Sequence, residues 1–128
     1  MIAGVVNAAL EAAVPLTVRD GGGKDHLIEA FVDTGFNGSL TLPSSVIAAL
    51  GLPWRMRGTV ILGDGSSQHF HVHDAIILWH GSIRHISVEA ADTHPLVGMR
   101  LISGNHLQIE AIPGGRVTIE ALPATGPK

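Results

Sequence analysis

The chain has 128 residues, of which 45% are hydrophobic and 15% charged, with a net charge near −3 and no cysteine. That length predicts one domain over residues 1–128, with apolar material sufficient for a core. The charge leaves no electrostatic footprint for nucleic acid. Zero cysteine excludes a disulfide framework, a Cys-based zinc site and a cysteine nucleophile.

Three Phe, two Trp and no Tyr leave the core to Val, Ile and Leu. Met1 to Leu10 is mildly apolar but interrupted by Asn7 and Glu11, with no basic region before a long apolar segment, so no signal peptide is expected. No stretch approaches the length that crosses a bilayer. The expectation is a soluble, cytoplasmic protein with no membrane partner.

Ala13 to Arg19 alternates as a strand, with Pro15 near its start. Asp20 to Asp25, with three consecutive Gly, reads as a turn, and His26 to Val32 alternates again; together these predict a hairpin. Asp33 to Gly38 is a loop, and Ser39 to Leu42 a short strand. Pro43 to Leu50 has the spacing of a short helix stopped by Gly51, with Pro53 beyond. Gly58–Leu62 and Ser67–His73 flank Gly63-Asp64-Gly65-Ser66 as a hairpin with a glycine-rich tip. The second strand continues to Leu78, Trp79 to Gly81 turns, and Ser82 to Ala90 returns. Leu96-Val97 is a short buried strand and Met99 to Ser103 a short helix stopped by Gly104. His106–Ile112 and Arg116–Ala121 make the last hairpin, and Leu122 to Lys128 is an expected fraying tail. Recurrent short strands between turn signals predict an all-β protein, a closed barrel or sandwich, with its core over about 13–121.

The stretch that carries chemistry is Ala30-Phe31-Val32-Asp33-Thr34-Gly35-Phe36. Asp33 is the only charge between Glu29 and Arg55. A carboxylate among apolar residues costs several kcal/mol to desolvate unless it is paired or shares a proton. Peptide hydrolysis by carboxylates uses two of them side by side, sharing one proton, with water as the nucleophile.

Phe-Val-Asp-Thr-Gly-Phe resembles the active-site loop of the retropepsin-like aspartic proteases. Pro95-Leu96-Val97-Gly98-Met99-Arg100-Leu101-Ile102 resembles the apolar-apolar-Gly segment and short helix late in each subunit of that family. With the hairpin between them, the resemblance runs over roughly Ala13 to Ala121. It implies a closed acid-protease barrel and an aspartic endopeptidase acting on extended polypeptides, without a cofactor or metal.

By the resemblance Asp33 is catalytic, Thr34 braces the loops across a two-fold axis, and Gly35 leaves room for the substrate backbone. The chain holds a single Asp-Thr-Gly, so the carboxylate pair requires a homodimer in which a C2 axis sets each Asp33 beside its mate. Leu62, Gly63, Asp64 and Gly65 become a flap that closes over substrate and pairs with it as an added strand. Phe36, Leu96 and Val97 flank the motifs as candidate pocket residues. The family's structural ion pair is missing: Asn37 or Gly38 and Met99 hold those places, and Arg100 is displaced by one. The dimer interface is then expected to use Leu101, Ile102 and the terminal strands.

Two other classes stay open. One is a non-catalytic module on the same fold that binds extended peptides or dimerises. The other is a metal-binding protein built on His69, His71 and His73, which alternate on one strand face, with Asp74, His80 or His85 as a further ligand.

Overall fold

The computed structural model describes residues 1–124, and its ten strands join one hydrogen-bonded sheet. The chain runs through β1 (Ile2–Val6), β2 (Ala12–Arg19), β3 (Asp25–Val32), β4 (Leu40–Leu42) and α1 (Ser44–Leu50). A meander of β5 (Trp54–Ile61), β6 (Ser67–Trp79) and β7 (Ser82–Ala90) follows. Then come β8 (Leu96–Val97), α2 (Met99–Ile102), β9 (Asn105–Ile109) and β10 (Arg116–Ala121). The protein is mainly β, as its alternating apolar segments predict.

The strand order is not the chain order. β3 and β4 are neighbours in sequence yet do not pair. β8 inserts between them, parallel to β3 (Phe31↔Leu96, Val32↔Val97) and antiparallel to β4 (Leu40↔Val97, Thr41↔Leu96). β4 also runs parallel to β7, through Leu40↔Val88 to Leu42↔Ala90. The long β6 serves three partners. Its first half pairs with β5, its second half with β7, and Ile76 to Leu78 also pair with Arg19 to Thr17 of β2. The ladders therefore run β2–β3–β8–β4–β7–β6 and return to β2. β1, β10 and β9 extend outward from β2.

The core lies inside this circuit. Val14, Leu16 and Val18 of β2 alternate inward, and Leu40, Leu42, Ile77, Val88, Val97 and Leu101 close the middle. α1 opens at Pro43, whose carbonyl accepts the N–H groups of Val46 and Ile47, and it buries Ile47 and Leu50. The β2–β3 turn is held by Asp20. Its Oδ1 accepts the N–H groups of Gly22 and Lys24, and its Oδ2 lies 2.7 Å from His26 Nε2. The last residues of the tail expected to fray, 125–128, lie outside the described residues; Leu122 at its start donates its N–H to the Gly104 carbonyl at 3.0 Å. Among the described residues, no helix is long and apolar enough to cross a membrane.

Two expectations are corrected. The core does not begin near residue 13, because Ile2–Val6 is a full strand, paired with β10 and with the start of β2. The turn that joins it to β2 carries no Gly or Pro. Asn7 builds it instead, with Oδ1 accepting the N–H groups of Ala9 and Glu11, while Leu10 takes the left-handed conformation at φ 63°. Nor are Leu101 and Ile102 exposed to a partner as expected. Leu101 is 0% and Ile102 3% exposed, and β1 and β10 already satisfy each other within the chain.

Leu101→Ala is therefore expected to cost about 2–5 kcal/mol of folding stability, the usual range for a buried Leu truncation. Chemical denaturation over a range of protein concentrations checks this, since a loss seated in the core stays the same at every concentration.

Candidate active site

The Asp33 loop is held in place by the segment that crosses behind it. The Asp33 N–H donates to Val97 O at 2.9 Å, continuing the β3–β8 ladder by one bond. From the other side Gly98 N–H donates to Ser39 O (3.0 Å), Met99 N–H to Phe36 O (2.8 Å) and Arg100 N–H to Gly38 O (3.1 Å). The loop's carbonyls, which have no strand partner, thus meet the first N–H groups of α2 and its lead-in, which have no helical partner. Gly98 makes this approach possible. A Cβ there would collide with Gly38 O and with the Phe36 ring and carbonyl.

Within the loop, Asp33 Oδ1 accepts the Gly35 N–H at 2.9 Å, and Asp33 O accepts the Phe36 N–H at 3.2 Å. Asp33 is half-buried, while Thr34 and Gly35 are exposed. The Asp33 side lines a cavity of about 460 Å³ with Leu10, Glu11, Phe31, Leu96 and Ile109. Glu11 is a second carboxylate on this cavity, and its Oε1 accepts Asn7 Nδ2–H at 3.0 Å. Leu10 and Ile109 are exposed apolar side chains there. Leu96 reaches this cavity. Val97, expected at a substrate pocket, is instead fully buried, because its side chain alternates to the core face of β8.

The β5–β6 hairpin has the expected tip. Leu62 N–H donates to Ser66 O and Gly65 N–H to Leu62 O, and Gly65 takes φ +85°. Asp64 Oδ1 accepts both the hydroxyl and the N–H of Ser66, which holds the Asp64 carboxyl below its ordinary range. The tip residues Leu62, Gly63, Asp64 and Gly65 stand in solvent. The middle of the hairpin, not its tip, faces the Asp33 loop. Met56, Gly58, Phe70 and Val72 share a second cavity, of about 460 Å³, with Phe36 and Gly38. Phe70 sits opposite Gly58 in the ladder, and its ring lies over that position.

Sequence reasoning missed Glu89 here and named Arg100 only as displaced by one from the ion-pair place. Both line the cavity under the hairpin. Partial burial pushes the Glu89 carboxyl up from its usual range, and the Arg100 charge opposes that rise. None of the ion pairs within 4 Å among the described residues uses Glu89. Glu89 was unreadable as a groove residue because it follows the regular alternation of β7 and becomes groove-lining only through the β4–β7 pairing, Thr41↔Glu89.

The alternating histidines do not converge. His69 Nδ1 lies 2.9 Å from Thr59 Oγ1, His71 Nδ1 accepts Trp54 Nε1–H at 3.1 Å, and His73 Nδ1 lies 3.0 Å from Leu52 O. His80 Nε2 lies 2.7 Å from Asn105 Oδ1. Among the described residues no group of three or more His, Asp or Glu side chains is arranged to hold a metal ion.

No family model matches the chain, and no curated protein and no solved structure matches it. The reading of the site therefore rests on its own geometry.

Gly98→Ala is expected to destabilise the protein by about 1–3 kcal/mol, because the added carbon must displace backbone; a thermal melt beside wild type checks it. Glu89→Gln is expected to do the opposite at neutral pH. A Glu whose pKa is raised on folding contributes stability below its unfolded pKa and loses it as pH rises through the folded value. Removing the charge thus raises the melting temperature at pH 7, and the gain shrinks on acidification through the carboxylate range. A melting series of both proteins from pH 3 to pH 8 tests the sign.

Proposed function

We propose that the protein is an aspartic endopeptidase of the retropepsin-like type, active as a homodimer on extended polypeptides. The observation that carries this reading is the clasp between the Asp33 loop and the Leu96–Arg100 segment. Four backbone hydrogen bonds tie one Asp-Thr-Gly loop to β8, which threads between β3 and β4, and to the start of α2. Holding a reacting group in one geometry is the main thing such a scaffold contributes to catalysis. The circuit of strand pairings supports the closed acid-protease barrel that the sequence motifs imply.

The chemistry then needs a second carboxylate. Asp33 of one subunit and Asp33 of its mate meet across a C2 axis, and like charges that close share one proton. The pair titrates as a unit. The ionised member takes a proton from a water molecule, and that water's oxygen bonds to the scissile carbonyl carbon. The protonated member gives its proton to the carbonyl oxygen as that bond forms, and a neutral tetrahedral diol results. Collapse of the diol passes a proton to the leaving nitrogen and breaks the C–N bond. Thr34 and Gly35 are exposed beside Asp33; in this reading Thr34 braces the paired loops and Gly35 leaves room for the substrate backbone. Exposed Leu10 and Ile109 beside Asp33 supply apolar surface for the partner in place of the buried Leu101 and Ile102. The hairpin tip, remote from Asp33 in one chain, then reaches over the shared cleft.

The same groove serves the alternative of a peptide-binding module without catalysis, and one experiment separates the two. Wild type and Asp33→Asn are assayed against a diverse peptide library from pH 4 to pH 8, with sedimentation of both. Asp33→Asn is expected to lower cleavage by about a thousandfold or more while the dimer persists. Full activity in the variant overturns the assignment. Binding without cleavage by wild type selects the module.

A further inference from the structure

Among the described residues the sheet has two outer strands, β5 and β9. An outer strand leaves a row of backbone N–H and C=O groups unpaired, and folded chains commonly guard it with charge, Pro or a bulge. β5 is guarded in this way. Its ladder with β6 shifts register between Trp54 and Met56, and it carries Arg55 and Arg57. β9 has none of these devices. The sequence from Leu101 to Ile109 holds no Asp, Glu, Lys, Arg or Pro, and the β9–β10 ladder runs without a bulge from Asn105 to Ile109.

The bonds at the two ends of β9 fix which of its backbone groups are free. Glu110 N–H donates to Arg116 O at 2.9 Å, and Leu122 N–H donates to Gly104 O at 3.0 Å. With His106↔Glu120 and Gln108↔Thr118 between them, the even-numbered residues turn their backbone groups toward β10. Asn105, Leu107 and Ile109 turn theirs outward. The side chains of Leu107 and Ile109 stand opposite Ile119 and Val117, both fully buried, so they share the core face of the sheet. Ile109 is nevertheless 40% exposed, because among the described residues no strand lies beyond β9 to cover it. It also walls the Asp33 cavity with Leu10, another exposed apolar side chain.

We propose that the outer edge of β9 is the homodimer interface, taken by β9 of a second copy in antiparallel pairing centred on Leu107. The inference rests on the aspartic peptidase reading, which needs a second Asp33, and names the surface that brings it. Pairing of one strand with its own copy about a C2 axis is self-complementary. Leu107 meets the partner's Leu107, and Ile109 meets the partner's Asn105. Every outward N–H then finds an outward C=O. Leu107, Ile109 and Leu10 gain apolar cover from the other subunit. A strand of another protein could satisfy the same backbone, but it would not bring the carboxylate that a single Asp33 lacks.

Sedimentation of the wild-type protein over a wide concentration range is expected to show a dimer. Ile109→Lys puts a charge on the uncovered face and is expected to raise the dissociation constant about tenfold or more, with the far-ultraviolet circular dichroism of the monomer unchanged. The chain has no Cys, so single-Cys variants report the register directly. Leu107→Cys would face its own copy at about 5.5 Å between Cα atoms, within disulfide reach, and is expected to cross-link under mild oxidation. Gln108→Cys, on the other face and opposite the partner's His106, is expected to cross-link poorly. The proposal is overturned if the wild type is monomeric at every concentration, if Ile109→Lys leaves the dimer as tight as before, or if Leu107→Cys cross-links no better than Gln108→Cys. Peptide cleavage is scored separately. A β9 dimer that cleaves nothing keeps the interface and removes the peptidase. Cleavage by a dimer indifferent to Ile109→Lys does the reverse.

Discussion

The threading of Leu96-Val97 between β3 and β4 is the constraint from which the rest of the molecule follows. A two-residue strand has almost no stability of its own. Here it is bonded on both edges, and Val97 is sealed in the core. The strand order forces the chain to leave β3 at Asp33, turn outward, and come back as β4 on the far side of β8. The Asp33 loop is the outward turn. Its carbonyls are satisfied by the N–H groups that follow β8, so loop and helix start solve one another's unpaired backbone. Rigid support behind an exposed, short-side-chain loop is the arrangement expected of a catalytic or recognition element.

Charge placement in the groove follows the same logic. Ordinary packing would put an apolar residue at position 89, which is shielded by Phe70 and Gly38. A carboxyl there is held against a desolvation cost that Arg100 only partly offsets. Sites where local stability is given up in this way are those where a structure most often does something besides fold. The Glu89 carboxylate lies beside Gly38, and Arg100 lines the same groove.

The proposed homodimer has a particular surface available to it in this chain. β1 and β10 pair with each other within the subunit, and Leu101 and Ile102 are core. The exposed apolar surface near Asp33 is contributed by Leu10 and Ile109 instead, one from the β1–β2 turn and one from the edge strand β9. Leu10 is held out by its left-handed backbone, a conformation that the Asn7 side chain stabilises locally.

Local pattern by itself determined the strands of alternating residues, the hairpin tip at Gly63-Asp64-Gly65, the helix before Gly51, and the loop that begins at Asp33. Those features are encoded within a few residues, as side-chain period and turn chemistry. The strand Ile2–Val6 escaped because its turn carries no Gly or Pro, only one Asn, and places a Leu in the left-handed conformation, which no local signal marks. Tertiary structure alone decided that β8 parts β3 from β4, that Val97 faces inward, that Leu101 and Ile102 are core, and that Glu89 and Arg100 enter the groove. Each of these depends on which distant strand lies alongside. That choice is made by the burial of Leu40, Val88, Val97 and Leu101 together, a property of the packed assembly and not of any short stretch of chain.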